Sequence, residues 1–247
     1  MAKRLFRFVL CFLLAIFASG CGENGNIFSW THRSGSSSSS DSLMSDAASK
    51  MKKQEYAKAA DLLERVVREK PGDEAAVMKY ASACIADTLD SNIASNILTK
   101  IVNNNNDISD LSSNISDETI NKADKVFHKL VKDPDMFPLL FGANPPISAN
   151  TNFSAATIYI MSGIFSAANN PGIKQYINAD GFIDINRLSH PSDNPAVASA
   201  VRDMKDKALE AVNCLNNIER QNLSAKKLKS RLEEFIRKSD SWLADKE

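Results

Sequence analysis

Apolar residues in the body of this chain recur every three or four positions, and this spacing constrains the fold more than any other feature. Such a period places apolar side chains on one face of an α-helix. No segment alternates with the period of two that is typical of a half-buried strand. The longest stretch spans 197–218 in steps of four and three, through Val197, Val201, Met204, Ala208, Ala211, Leu215 and Ile218. We therefore expect an all-α fold.

Further helices are expected on the same grounds. Shorter stripes occur near 56–66, 77–84, 93–101 and 120–130, and a last helix is predicted over 224–245 with Ser224 as its N-cap. The three heptads at 197–218 are typical of one long helix packed on its neighbours, with a coiled-coil seam as the alternative. The expected architecture is an α-superhelix or bundle with long C-terminal helices.

Composition excludes several classes of protein. The chain has 247 residues, of which 43% are apolar and 24% charged, as in ordinary globular domains. It has 30 basic and 30 acidic residues, and this balance argues against a nucleic-acid partner. Residues 1–20 hold three basic residues and no acidic one, so without them the counts are 27 and 30 and the net charge is −3. We therefore expect no electrostatic membrane patch.

The first twenty residues have the pattern of a secretory signal peptide. Three basic residues precede ten apolar residues at 8–17, and small residues follow at 18–20. Ten apolar residues are too few to span a membrane as a helix, which takes about 20. The residues around Cys21, Ala-Ser-Gly-Cys, resemble the lipobox of bacterial lipoproteins, with Ala18 where that family usually has Leu. The alternative is a secreted protein with a chance cysteine.

The lipoprotein resemblance implies a location and an anchor. Cys21 would carry two acyl chains, which anchor a protein stably where one chain does not. Gly22 stands where an Asp would signal inner-membrane retention, so the resemblance implies the outer membrane, facing the periplasm. Residues 21–41 are Ser/Gly-rich and predict a flexible tether. Two cysteines remain, Cys84 and Cys214, either as free thiols on apolar helix faces or as a disulfide.

The folded part is expected at 42–247, and its first segment resembles a known repeat. Residues 54–73 are similar to the second half of a tetratricopeptide repeat, through Tyr56, Ala59, Leu63, Val66 and Pro71. In that family the small residue lets two helices approach, the large apolar residue fills the space between them, and the proline ends the helix. The partner helix is expected at about 42–53.

Residues 74–103 fit a second, degenerate repeat. Val77, Tyr80, Ala81 and Cys84 match its first helix, whereas 94–101 match its second helix only with one inserted residue. The resemblance thus covers 42–103, with 117–247 as a helical continuation, and a generic helical hairpin is the alternative. Stacked repeats of this kind form concave surfaces that bind peptides or helices. The resemblance therefore implies a protein partner.

Residues 136–173 contain no charged side chain, although the rest of the chain is rich in charge. They divide into a Pro-rich loop at 136–152 and an apolar helix at 153–168 in which small residues, Ala156, Ser162, Gly163 and Ser166, permit close helix contact. A helix that is apolar all round is buried or membrane-embedded, and sixteen residues are short for a membrane span. The alternative is an apolar groove, since ligand pockets are mostly apolar. Its candidate walls are Phe137, Leu140, Phe141, Phe153, Tyr159 and Phe165.

No residue pattern predicts catalysis or metal binding. The segment NADGFIDI at 178–185 is similar to the centre of an EF-hand loop, but Tyr176 and Arg187 stand at its two essential ligand positions, so we predict a turn. The histidines, His32, His128 and His190, are isolated from any nucleophile or ligand motif. We expect a protein that is not an enzyme and has no metal or cofactor.

Together these patterns predict a lipid-anchored periplasmic scaffold that binds another protein through tetratricopeptide-like helices. Two family resemblances compete within this class: an outer-membrane assembly lipoprotein, and the T-component lipoproteins associated with TRAP transporters. The alternative function is a carrier of a lipid or small hydrophobic ligand in the groove of residues 136–173. An apolar cavity would favour the carrier, and a solid core would favour the scaffold.

Overall fold

The computed structural model describes residues 39–89, 115–132, 148–178, 181–218 and 223–244. Within these ranges the chain is helical, and its β-geometry is limited to an isolated antiparallel bridge between Ile177 and Ile183. The all-α prediction is therefore confirmed. The helices of these ranges are α1 (Ser39–Lys52), α2 (Tyr56–Glu69), α3 (Glu74–Thr88), α4 (Asp117–Lys132), α5 (Ala149–Ala168), α6 (Pro171–Lys174), α7 (Pro195–Asn216) and α8 (Leu223–Ala244).

The chain forms two compact units. Of the described residues, the first unit comprises 39–89, Lys132 and 148–151, and the second comprises 115–131, 152–178, 181–218 and 223–244. The first unit therefore contains α1, α2 and α3, together with the last residue of α4 and the first turn of α5. The second contains the rest of α4 and α5, and all of α6, α7 and α8. The predicted helix stripe at 93–101 lies outside the described residues.

Consecutive packing of short helices organises the first unit. Helix α1 packs on α2, and α2 packs on α3. Short turns join them, and each turn contains one residue in the left-handed region, Gln54 with φ 59° and Gly72 with φ +83°. Asp73 then caps α3, because its carboxylate accepts a hydrogen bond from the backbone N–H of Ala76 at 3.0 Å.

Helix α1 begins at Ser39, three residues before the predicted start. Glu69, the last residue of α2, explains the difference. Its carboxylate accepts hydrogen bonds from the hydroxyls of Ser40 at 2.6 Å and Ser39 at 3.1 Å. These hydrogen bonds lower the pKa of Glu69, with the one from Ser40 as the larger cause. The negative charge of Glu69 at the N-terminus of α1 also stabilises this helix, because it interacts favourably with the positive end of the helix dipole.

Helix α5 begins at Ala149, four residues before the predicted apolar helix. Ser148 caps it by accepting a hydrogen bond from the backbone N–H of Thr151 at 3.2 Å. In the first unit Glu74 accepts hydrogen bonds from the hydroxyls of both Ser148 and Thr151. The predicted Pro-rich loop therefore ends earlier than expected, because a carboxylate from α3 stabilises the first turn of α5.

Burial on every side distinguishes α5 from the other described helices. All residues from 151 to 165 are buried, although they extend over several helical turns and their side chains point in every direction around the helix axis. The prediction of an apolar helix buried all round is therefore confirmed. Such a helix has no solvent-facing side on which charged residues would be needed, which accounts for the absence of charge in this stretch.

Close packing in the second unit brings α5 against α4 and α7. The aromatic rings of Phe127 in α4 and Phe165 in α5 stack with their centroids 5.5 Å apart and an interplanar angle of 8°. Gly163 approaches α7 so closely that a Cβ atom there would lie 3.4 Å from the Met204 side chain. The small residue at 163 thus permits the close helix contact expected from the sequence.

Helices α7 and α8 form the C-terminal part of the second unit. Asn194 caps α7 by accepting a hydrogen bond from the backbone N–H of Val197 at 3.2 Å, and Pro195 occupies its first turn. All seven apolar residues predicted for this helix stripe are buried. Helix α8 begins at Leu223, so Ser224 lies inside its first turn and is not its N-cap. The two helices pack on each other.

The described residues on the two sides of 179–180 are held together by the antiparallel bridge between Ile177 and Ile183, next to the turn predicted at 178–185. The backbone N–H of Asn178 donates to the carbonyl of Phe182 at 2.8 Å, and Gly181 donates to the carbonyl of Asn178 at 3.0 Å. Gly181 has φ +86°, a region that residues with a Cβ rarely adopt. A Cβ atom at this position would lie 2.8 Å from Cδ1 of Ile164 in α5. The glycine is therefore required both for the turn and for its contact with α5.

We predict that Gly181→Ala lowers the free energy of unfolding by about 1–3 kcal/mol, because it adds backbone strain and a steric overlap with Ile164. Gly163→Ala is the matched control. Its Cβ fits at ordinary contact distance, and alanine favours a helix over glycine by about 1 kcal/mol. Urea denaturation of both variants tests the prediction. Equal stability of the two would contradict it.

Candidate functional site

The residues of the tetratricopeptide resemblance lie mainly in the core of the first unit. Their positions fall into three classes. Tyr56 is half-buried, and Pro71 is exposed two residues after the end of α2 at Glu69. The remaining five are at most 1% exposed: Ala59, Leu63, Val66, Tyr80 and Ala81. Since they pack inside the unit, these five position the helices and leave any partner contact to the outer faces.

Charged side chains lie on the outer face of the hairpin formed by α1 and α2. Glu55, at the turn between α1 and α2, accepts hydrogen bonds from the ammonium groups of Lys50 at 2.9 Å and Lys58 at 3.0 Å. These hydrogen bonds lower the pKa of Glu55 to about 2, and the one from Lys50 is the larger cause. Glu64 pairs with Arg68 at 2.8 Å one turn apart on α2. This face therefore offers paired charges of both signs to a partner.

Three of the six candidate groove walls, Phe137, Leu140 and Phe141, lie outside the described residues. The other three are on α5 and are buried: Phe153 is 6% exposed, Tyr159 is 7% exposed and Phe165 is 1% exposed. The Phe165 ring contacts the ring of Phe127 from α4. These three aromatic side chains therefore contribute to the protein's own core.

Burial also shifts the proton equilibria beside α5. It raises the pKa of the Cys214 thiol in α7 to about 12, with the nearby charge of Glu210 as a second cause. Burial likewise raises the pKa of the Tyr159 hydroxyl, with Cys214 and Glu210 as lesser causes. Cys84 and Cys214 are both free thiols. A thiol with so high a pKa is a poor nucleophile at neutral pH, so Cys214 acts as a small apolar residue.

A polar network that the sequence analysis missed lies between α5 and α7. The Ser166 hydroxyl donates to Oδ2 of Asp203 at 3.0 Å, and the Lys207 ammonium donates to the same oxygen. Lys207 is only 7% exposed, whereas two-fifths of the Asp203 side chain is exposed. A buried lysine needs such a partner because an unpaired charge in the core is costly. The position of Lys207 on the apolar side of α7 was the sequence signal that could have revealed this network.

Buried hydroxyls without a partner do not converge on one site. Among the described residues these are Thr157 and Ser162 on α5 and Ser239 on α8. The two on α5 are five residues apart, so they lie roughly 140° apart around the helix. They therefore do not line a common polar pocket.

Within the ranges that the structure describes, no three residues among His, Cys, Asp and Glu form a group that could hold a metal ion. No described helix is long and apolar enough to cross a membrane. Cys21, the candidate lipidation site, lies outside the described residues.

Comparison with known proteins gives no relative: neither a family model, a curated protein nor a solved structure matches this chain. Any functional assignment therefore depends on the chain's own residues.

Proposed function

We propose that this protein is a lipid-anchored scaffold of the bacterial periplasm that binds another protein through its first helical hairpins. The observation that carries the proposal is the consecutive packing of α1, α2 and α3, three helices of 14, 14 and 15 residues joined by short turns. Helices joined by such short connections are antiparallel neighbours. Repeated units of this kind form extended surfaces for partner proteins.

The distribution of side chains in the first unit supports the proposal. Small and apolar residues face inward, where Ala59 and Leu63 are fully buried, and the outer side of α2 has exposed charged residues that include Asp61 and Arg65. A stable core thus leaves one complete face of α2 available for contacts. The signal-like segment, the cysteine at position 21 and the Ser/Gly-rich tether support anchoring in the outer membrane. Envelope assembly and association with a transporter are the two roles that fit this design.

The experiment that tests the proposal uses the full chain in a diderm bacterium, with a photo-crosslinking amino acid at Arg65 on α2. We expect one partner to crosslink in stoichiometric amount, and Asp61→Lys to weaken that crosslink at least fivefold. The same amino acid at Lys226, an exposed position of α8, is the control and should not crosslink that partner. Equal crosslinking at both positions, or none at Arg65, would count against the scaffold.

The anchor is tested in the same strains with Cys21→Ser and, as a matched control, Cys11→Ser within the signal-like segment. We expect Cys21→Ser to abolish incorporation of labelled palmitate and to move the protein from the membrane fraction to the soluble fraction. Cys11→Ser should change neither. Native mass spectrometry of the purified protein completes the test, since a bound lipid without a protein partner would favour the carrier hypothesis instead.

A further inference from the structure

Two side-chain hydrogen bonds join α5 to α7, one near each end of α5. Near its C-terminus, the Ser166 hydroxyl donates to the carboxylate of Asp203 in α7 at 3.0 Å. Near its N-terminus, the side-chain oxygen of Asn152 accepts a hydrogen bond at 3.2 Å from the side-chain amide of Asn217, the residue that directly follows α7. All four residues belong to the second unit. Because the start of α5 meets the end of α7, the two helices run antiparallel.

The two hydrogen bonds have the same spacing on both helices. Ser166 lies fourteen residues after Asn152, and Asn217 lies fourteen residues after Asp203. Fourteen residues make two heptads, or about 21 Å of α-helix. In an antiparallel pair, two contacts with matched spacing form together in a single register. Moving α7 along α5 by one helical turn, about 5.4 Å, would break both.

The apolar stripe of α7 does not select this register by itself. Its seven residues, from Val197 to Ile218, recur in steps of four and three, so a move by one step replaces each apolar side chain by the next one. At the close contact with Gly163, Ala208 would take the place of Met204, and the smaller side chain would fit there. In coiled coils, which have the same repeat, buried polar residues are what specify the register.

Burial increases the cost of the shifted register. Asn152 is 3% exposed, so its amide has little access to water that could replace the hydrogen bond from Asn217. Lys207 is 7% exposed and donates to the same oxygen of Asp203 as Ser166 does. A move by one turn would place Lys207 where the Asp203 carboxylate now accepts from Ser166. Both ends of the helix pair therefore favour the observed register through buried polar groups.

We propose that these two hydrogen bonds form a register lock, which holds α7 in one of two axial positions on α5 that are one helical turn apart. One-turn movements of packed elements past each other are a known form of conformational switching. Because α8 packs on α7, the lock also fixes the position of α8. It thereby determines where the exposed face of α7, which includes Leu209, is presented.

Disulfide trapping in the full chain measures the register directly. In a background of Cys84→Ser and Cys214→Ala, cysteines are introduced by Gly163→Cys, Met204→Cys and Ala208→Cys. A Cβ atom at position 163 lies 3.7 Å from the Cα atom of Met204, which suits a disulfide in the observed register. Position 208 is one turn further along α7 and would meet position 163 in the shifted register. After oxidation, peptide mapping gives the ratio of the 163–208 disulfide to the 163–204 disulfide.

The variant that opens the lock combines Asn152→Ala with Ser166→Ala, which removes the α5 side of both hydrogen bonds and leaves α7 unchanged. We expect the ratio of the 163–208 to the 163–204 disulfide to rise at least tenfold, since each hydrogen bond is worth roughly fivefold in an equilibrium constant. Ser154→Ala combined with Ser162→Ala is the matched control. It removes two other buried hydroxyls of α5 that take no part in the lock, and it should change the ratio less than twofold.

Circular dichroism and urea denaturation check that the variants fold. If the double variant folds poorly, Asn152→Ala and Ser166→Ala are tested singly, and each should raise the ratio about threefold. An unchanged ratio in the folded variants would overturn the inference. An equal rise in the control would also overturn it, because the effect would then come from general loosening of α5. The disulfides lie within the second unit, so the result is independent of the Cys21 labelling and of the Arg65 crosslink.

Discussion

Replacing Phe165 by alanine should lower the free energy of unfolding of the second unit by about 3–5 kcal/mol, the cost of removing a large aromatic side chain from a core. Phe165 is 1% exposed, and its ring stacks on Phe127. Truncation removes this contact and leaves a cavity that the surrounding helices fill only partly. The loss is large relative to the 5–15 kcal/mol that typically stabilises a domain.

Urea denaturation of the wild type and of Phe165→Ala measures the effect. A double-mutant cycle with Phe127→Ala should give a coupling of about 0.5–1.5 kcal/mol for the stacked pair. Leu209→Ala is the control, since Leu209 is exposed on α7 and should cost less than about 1 kcal/mol. The result also bears on function, because Phe165 is a candidate groove wall. A loss below about 1 kcal/mol would mean that its ring lines an open space, as a carrier requires.

Helical periodicity predicted the elements of this fold well, because the apolar spacing that defines a helix is a local property of sequence. The stripe from Val197 to Ile218 is buried at every predicted position. Burial of the helix around Phe165 could likewise be predicted, since a helix without charged residues has no side suited to water.

Helix starts were less predictable, because they depend on polar partners far away in sequence. Helix α1 begins early where Glu69 accepts hydrogen bonds from Ser39 and Ser40, some thirty residues before it. Helix α5 begins early where Glu74 contacts Ser148 and Thr151, more than seventy residues after it. No periodic pattern in the sequence connects such residues.

Residues of the candidate groove show a second limit of sequence analysis. An apolar composition is shared by a solid core and by the wall of a ligand cavity, so residues such as Phe153 and Tyr159 fit both. The contact that distinguishes them, between Phe127 and Phe165, joins two helices whose sequences give no sign of being neighbours.

A pair of substitutions tests whether α5 is buried on all sides. Ile158 and Ile160 are two residues apart, so their side chains point roughly 200° apart around the helix. Their exposed fractions are 4% and 3%. We therefore expect Ile158→Ala and Ile160→Ala each to lower the free energy of unfolding by about 2–5 kcal/mol, measured by urea denaturation against the Leu209→Ala control.

An amphipathic helix would give a different result, because one of the two isoleucines would face solvent and its replacement would cost less than about 1 kcal/mol. Comparable losses at both positions mean that protein surrounds α5, which leaves the outer helix faces as the surfaces for partners and supports the scaffold. A loss at one position alone would mean that one side of α5 is open. That side would then be available to a hydrophobic ligand, and the carrier would become the better explanation of the uncharged segment.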